Sequence, residues 1–593
     1  MKTDALNTRR QEAQGRLGAL AAGLFFALWG IRWGLPERAN AGKAFPGAST
    51  SSPQFVQDLT KSRKRLYKNI WLSHKDMAQQ EPVTYVKGVA VIPPGWTYPP
   101  PDLLNSYRSF LLQSEDPDEK KSFIILSQMR PWKLDFEPLY VVYGGAFIYP
   151  LGAFLAFSSA VRAVHLVHGL SYYLAHPGEM ARLYLCGRVF MTIFQLLTIW
   201  MLYDIGCLLS GWKTGLLASF LFLLTPAVAV NSHILKPHPC AAFWCLAALR
   251  YGLAALQSGA RRDYWLCGLA VGMASGTEFS MACFAVVPAL AWMMGSGGRS
   301  AGGRRREFFL AAQAIFGAAF LCLAANPYLL LAYRDFAWEL TIYVGHGSSG
   351  FSYSLAAVAR GWASGLGYAL SLVMAGAIAA ALVKGGKERR FVVFSSAIVF
   401  LSLWIAFTKL WGFANSPFVL RYYYALIGPM CVLAADWLAN GLPSIAGPAL
   451  IGIVLLESGV HSLVYYRNMA LDSGPSSTRL SAAAWVDSHV PRGASVGLLN
   501  YPEPAHTPPF PYSRYRLVIF NKPSALSPRE EPRYMVLDEE GRASMRSWLA
   551  RRYTEIKTFP SWGILGFKAD DASFYANAGI YVYRKSPAPS RKS

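Results

Sequence analysis

Between residues 114 and 119 the chain reads Ser-Glu-Asp-Pro-Asp-Glu, setting four carboxylates, Glu115, Asp116, Asp118 and Glu119, within five positions. A carboxylate so placed can take a proton from a hydroxyl as a general base. It can equally cap a helix, since Asp and Ser ahead of a first turn accept from its free backbone N–H groups. Gln128-Met129-Arg130-Pro131 and Leu134-Asp135-Phe136 follow. The cations are scattered: Lys236 and His238 end the run Asn231-Ser232-His233-Ile234-Leu235-Lys236-Pro237-His238, Arg334 stands alone, and Arg421 opens Arg421-Tyr422-Tyr423-Tyr424. Lys or Arg beside an apolar segment either binds phosphate oxygens or snorkels to an interface. His233, His238 and His346 read as ordinary packed or surface histidines as readily as ligands, and Glu278, at a helix turn, faces either a cavity or water.

The elements that must position these groups are apolar helices. Hydrophobic residues make up 53% of the 593 and mean hydropathy is +0.25, more than one soluble core of this length needs. Serial runs near the length that crosses about 30 Å of hydrocarbon predict an α-helical polytopic membrane protein of about eleven spans. They are placed at 17–35, 182–203, 214–231, 239–257, 264–278, 279–296, 308–332, 360–383, 391–410, 417–437 and 446–465. The apolar stretch Leu139 to Leu170 is interrupted by Tyr143, Gly144, Gly145, Pro150, Arg162, His165 and His168. It suits a helix at the interface and closes a large outer loop, residues 36–180.

Net charge is +23, yet its distribution removes the need for nucleic acid as a partner. Fifteen basic residues fall in short segments assigned to the inside: Lys2, Arg9, Arg10, Arg16, Lys213, Arg261, Arg262, Arg299, Arg304, Arg305, Arg306, Lys384, Lys387, Arg389 and Arg390. The short outer loops hold three, Lys236, Arg334 and Lys409. This asymmetry sets the N-terminus, residues 1–16, in the cytoplasm. Ala39-Asn40-Ala41 is a small-residue triplet of the kind signal peptidase cuts, but the expected first span is retained. The eight cysteines all lie in or beside apolar runs, so no disulfide framework is implied.

After Tyr466 the composition becomes that of a soluble α/β domain, residues 466–593, expected outside the cytoplasm. Helices are predicted over 476–489 and 541–553, strands over 494–499, 516–520, 534–537 and 579–583, and a Pro-rich loop over 502–511. No internal repeat, Walker loop, CxxC metal pattern or GxSxG elbow occurs.

The order of several motifs resembles the GT-C superfamily of integral membrane glycosyltransferases, especially its protein-mannosyltransferase-like and aminoarabinose-transferase-like branch. Trp33-Gly34-Leu35-Pro36 ends the first span, and Pro117-Asp118-Glu119 supplies an acidic pair. Tyr143-Gly144-Gly145-Ala146-Phe147-Ile148-Tyr149-Pro150-Leu151 opens a juxtamembrane helix. Asn326-Pro327-Tyr328 and Arg421-Tyr422 follow at the outer ends of late spans. The resemblance covers about residues 17–465 and implies an inverting transferase that moves a sugar from a polyprenyl phosphate to an extracytoplasmic lipid, glycan or protein. It implies Asp118 as the base, with Asp116 the competitor and Glu119 beside it. Lys236, His238, Arg421 and Arg334 become candidates for the donor phosphate. Two departures stand out. About eighty residues separate the first span from the acidic pair, which in relatives follows closely, and the loop 231–238 lacks the acid that sometimes stands near a metal. No metal ligand is assigned, and a divalent ion stays open. A transporter or lipid flippase, and a non-catalytic scaffold of the same fold, are the alternatives; a transporter predicts paired half-repeats, which the sequence lacks.

Overall fold

The computed structural model describes residues 2–48, 56–58, 86, 88–138, 143–295, 300–334, 336–337, 351–407, 419–569 and 574–587. His346, Arg299, Lys409 and the start of the 417–437 span lie outside the described residues. The chain divides into two compact units. One, helical, comprises 1–29, 121–157 and 187–466; the other, built on a sheet, comprises 30–120, 158–186 and 467–593.

In the helical unit, helices fall on every expected span whose residues are described, but several are short or broken. Pro177–Ser210, His238–Ser258, Ala301–Ala325 and Ala446–Asp472 are long and apolar enough to cross a membrane; Val358–Leu366 with Tyr368–Lys384, bent by 113°, makes a fifth if counted as one. Among the described residues four or five helices meet the length and composition of a span, and the shorter apolar helices Gly145–Ala160, Trp212–Leu223, Phe279–Gly295 and Tyr424–Asn440 stand beside them. The breaks have local causes. The first helix, Lys2–Leu28, stops ahead of Gly30, whose φ is +82°. Pro226 restarts a helix after Trp212–Leu223. The expected span 279–296 begins as a 3-10 turn, Phe279–Ala285, before Val286–Gly295. Leu139 to Leu170 contains the helix Gly145–Ala160, sixteen residues with Pro150 inside, short of the roughly twenty a span needs.

Close packing comes from small residues. Gly268, Gly272 and Gly276 repeat every fourth position on Arg261–Thr277 and lie against Ala314, Ala318 and Ala325 of the neighbouring helix; a Cβ on Gly268 would sit 2.5 Å from the Ala314 carbonyl oxygen. Such stripes let helix backbones approach where lipid supplies no hydrophobic drive.

The second unit holds a six-stranded sheet: β1 Val89–Ile92, β2 Ser495–Leu499, β3 Arg516–Phe520, β4 Tyr534–Asp538, β5 Tyr553–Phe559 and β6 Ile580–Lys585, in the order β1-β3-β2-β4-β6-β5. β2 runs parallel to β3 and β4, while β1 pairs antiparallel with β3, Val89 opposite Phe520. The expected strands are present, with the helix Thr478–His489 leading into β2. Two strands escaped the sequence pattern. β1 is four residues inside a stretch expected as loop. β5 begins at Tyr553, the last residue of the helix expected over 541–553, and runs through residues given no element; the helical run itself breaks at Met545 and resumes over Arg546–Arg552.

Candidate functional site

In the sheet unit the backbone N–H of Glu115 donates to the carbonyl of Gly34 at 2.8 Å. Gly34 has φ +56°, and a Cβ there would come 2.7 Å from that of Glu115. The segment from 35 to 114 is thus a looped excursion whose ends meet, and the acidic run follows the turn after the first helix in space although not in sequence.

The four carboxylates have different environments. Asp116 is fully buried and its Oδ1 accepts from the backbone N–H groups of Asp118 (2.8 Å) and Glu119 (3.3 Å), capping the helix Glu119–Gln128. Glu119 is also fully buried and accepts from the Ser114 hydroxyl at 2.6 Å. Glu115 pairs with Arg479. Asp118 is half-buried, its backbone held by the cap. The capping function expected for the cluster is real, and it falls on Asp116. Farther along the same helix, Ser122 donates to the Leu235 carbonyl at 3.4 Å, next to Lys236.

In the helical unit Arg421 and His238 come together around one ring. The Arg421 guanidinium lies 5.0 Å from the Tyr422 ring centroid and its Nη2 donates to the Tyr422 hydroxyl at 3.0 Å; the His238 ring stands edge-on to Tyr422 at 6.2 Å. His238 Nδ1 lies 2.9 Å from Glu278 Oε2, both side chains being nearly buried. Glu278 also accepts from Ser280 at 3.0 Å, so it faces inward rather than toward water. Lys236 is buried in the same loop as His238. Arg334 is exposed, with its Nε donating to the adjacent Tyr333 hydroxyl at 3.2 Å; it joins neither group. His233 is buried, bonded to the Ala229 carbonyl at 3.0 Å and packed edge-on to Tyr466, which is a packed histidine's role.

Two motifs of the resemblance prove to be one clamp. Asn326 Oδ1 accepts from the Gly145 N–H at 2.7 Å, while its Nδ2 donates to the carbonyls of Gly276 (3.1 Å) and Cys322 (2.9 Å). Gly144 donates to the Thr277 carbonyl at 3.0 Å. A Cβ on Gly144 would meet the Gly276 oxygen at 2.0 Å and one on Gly145 the Ala325 oxygen at 1.9 Å, so both positions need glycine.

Sequence reading missed Arg479 and the cluster around His506. Among the described residues, His506, Asp538 and Glu540 are the group whose ligand atoms lie close enough to hold a metal ion. His506 Nδ1 and Asp538 Oδ2 are 2.5 Å apart, a hydrogen-bonded ion pair, and Asp538 Oδ1 caps the following turn through the Gly541 N–H. Burial works against the imidazolium, but the hydrogen bond and charge of Asp538, with Glu503 and Glu540, outweigh it and raise the His506 pKa to about 9. A protonated imidazole is no metal ligand, so an ion must displace that proton.

Residues 183–326 match the family model described as dolichyl-phosphate-mannose-protein mannosyltransferase. No curated protein sequence matches the chain. Among solved structures, ArnT from Cupriavidus metallidurans, bound to undecaprenyl phosphate, is 14% identical with a TM-score of 0.41, covering 79% of this chain and 93% of that one. The Archaeoglobus fulgidus oligosaccharyltransferase AglB, in complex with an inhibitory peptide and a dolichol-phosphate, is 14% identical at 0.36, covering 73% and 66%. The arabinofuranosyltransferase AftD from Mycobacteria is 13% identical at 0.39, covering 81% of this chain and 39% of that one. Over residues 183–326 the chain is similar to the dolichyl-phosphate-mannose-protein mannosyltransferase family, one of the GT-C glycosyltransferase families that the order of motifs resembles.

Proposed function

We propose that this chain is an inverting glycosyltransferase of a bacterial inner membrane, moving one sugar from a polyprenyl phosphate to a lipid, glycan or protein acceptor outside the cytoplasm. The observation that carries this is the Glu115 to Gly34 hydrogen bond, which removes the main departure from the family pattern by bringing the acidic pair back to the turn after the first helix. The family-model match over 183–326 supports the same class and a polyprenyl-type donor.

In the proposed reaction the Asp118 carboxylate takes the acceptor's hydroxyl proton as that oxygen attacks the anomeric carbon, and the carbon–oxygen bond to phosphate breaks on the opposite face. The leaving group is a phosphate, which needs cations but no proton, so one carboxylate suffices where a glycoside hydrolase uses two. Arg421 and His238, gathered around Tyr422, with Lys236 nearby in sequence, are the proposed phosphate ligands; Arg334 is a weaker one. Asp116 and Glu119 hold the turn that carries Asp118. A divalent metal is not required by these steps. In this reading an odd number of spans, eleven as expected from the sequence, with a cytoplasmic N-terminus sets the C-terminal region outside, and the pairing of β1 with β3 supports one side for residues 89–92 and 516–520.

Native mass spectrometry of the purified full-length protein tests the assignment. A bound polyprenyl-phosphate sugar is expected; its consistent absence at normal protein abundance would favour a scaffold or a transporter.

A further inference from the structure

The Pro-rich loop 502–511 and the end of β4 bring four titratable groups of the sheet unit together. Within the loop the Glu503 carbonyl accepts from the backbone N–H groups of His506 (3.2 Å) and Thr507 (2.9 Å). That turn sets the Glu503 and His506 side chains side by side, with Glu503 Oε1 3.7 Å from His506 Nε2. Tyr575 stands edge-on to the imidazole, ring centroids 5.5 Å apart, and restrains the ring. From β4 comes Asp538, whose Oδ2 lies 2.5 Å from His506 Nδ1, with Glu540 two residues on. One ring nitrogen of His506, one carboxylate oxygen of Asp538 and one of Glu540 all lie within 4.8 Å of one another.

The charges of this group do not balance. Glu503 and Asp538 both face His506, and among the described residues no Lys or Arg pairs with either of them or with Glu540. Three carboxylates thus share one imidazolium. Asp538 is buried and His506 and Glu503 are half-buried, so water screens the surplus mainly from the side of the exposed Glu540. A divalent ion that takes the place of the Nδ1 proton brings two positive charges for the one it removes, which halves the surplus.

We infer that His506 Nδ1, Asp538 and Glu540 form a binding site for one divalent transition-metal ion of the zinc class, with Glu503 facing the N–H of the far ring nitrogen. A ligating imidazole commonly turns its other N–H toward a carboxylate in this way. The metal class follows from the donor set, because an imidazole nitrogen with carboxylate oxygens suits zinc, whereas Mg²⁺ and Ca²⁺ take oxygen shells. Exposed Glu540 gives the ion its way in. The site takes no part in the transfer steps proposed above, so either assignment can fail alone.

The test is isothermal titration of the tag-free, full-length protein in detergent, treated with EDTA and desalted, with Zn²⁺ and with Mg²⁺ and Ca²⁺ as controls. Elemental mass spectrometry counts the zinc held per chain. One zinc ion is expected at micromolar Kd or tighter, at least about tenfold weaker in Glu540→Gln and in His506→Gln, with Mg²⁺ and Ca²⁺ also at least about tenfold weaker. Glu540 is exposed and lies beyond the end of β4, so its variant keeps the test valid if His506→Gln fails to fold. No zinc bound, zinc bound equally by native and Glu540→Gln protein, or Mg²⁺ or Ca²⁺ bound as tightly as zinc would overturn the site.

Discussion

The Glu115 N–H and the Gly34 carbonyl, 2.8 Å apart, fasten the acidic run to the turn after the first helix. Gly34 is held at φ +56° with no room for a Cβ. Gly34→Ala is expected to cost roughly 1–3 kcal/mol through the strained backbone and the clash. It lowers both the melting temperature and turnover. Gly18→Ala, inside the first helix with nothing within 4 Å, is the control and should lower neither.

Asn326 joins three helix ends through its amide. Asn326→Leu removes the acceptor for the Gly145 N–H and the donor for two carbonyls. About 2–4 kcal/mol of stability should be lost, since each buried partner left open costs on the order of 1–3 kcal/mol. Thermal unfolding of the purified variant in detergent measures it; an unchanged melting temperature would contradict the clamp.

The acidic cluster, the loop 231–238 and Arg421 stand out in the sequence because charged residues beside apolar helices are costly. The helices were legible from apolar run length, and β2, β3, β4 and β6 from alternation and flanking turns. Span lengths were not, because Pro226, Gly367 and the 3-10 turn after Glu278 cut runs that hydropathy reads as continuous. β1 was hidden because its four residues find their partner in β3, far along the chain. Arg479 was hidden because its value lies in long-range partners, Glu115 above all, which a single sequence does not list.

Stability of the sheet unit should depend on pH through His506. Its pKa is raised to about 9 by Asp538 and its acidic neighbours, from an ordinary value of 6.5. A raised folded-state value contributes stability that is complete below about pH 6.5 and is lost as pH rises through about 9, at most ~2–3 kcal/mol. Melting temperature followed from pH 6 to 10 should fall across that window in the native protein. In His506→Gln the fall should be smaller; an identical profile would contradict the ion pair.

Arg421 is expected to bind the donor's phosphate. Because a charge-assisted contact is worth roughly 1.5–3 kcal/mol, Arg421→Ala should weaken donor affinity about 10 to 100-fold. Arg421→Lys, which cannot reproduce the planar fork, should weaken it less. Normal donor binding in Arg421→Ala at normal abundance would leave Arg421 as an interfacial anchor stacked on Tyr422.

Asp118→Asn bears most directly on the central claim, because it keeps the side chain's shape and removes its basicity while Asp116 still caps the helix. The measurement is sugar transfer from the co-purifying polyprenyl-phosphate donor to extracytoplasmic product in membranes carrying native or variant protein. General-base catalysis contributes roughly 10² to 10⁴-fold, so turnover in Asp118→Asn should fall by that factor while donor binding and abundance persist. Near-native turnover in Asp118→Asn and also in Asp116→Asn would contradict the account.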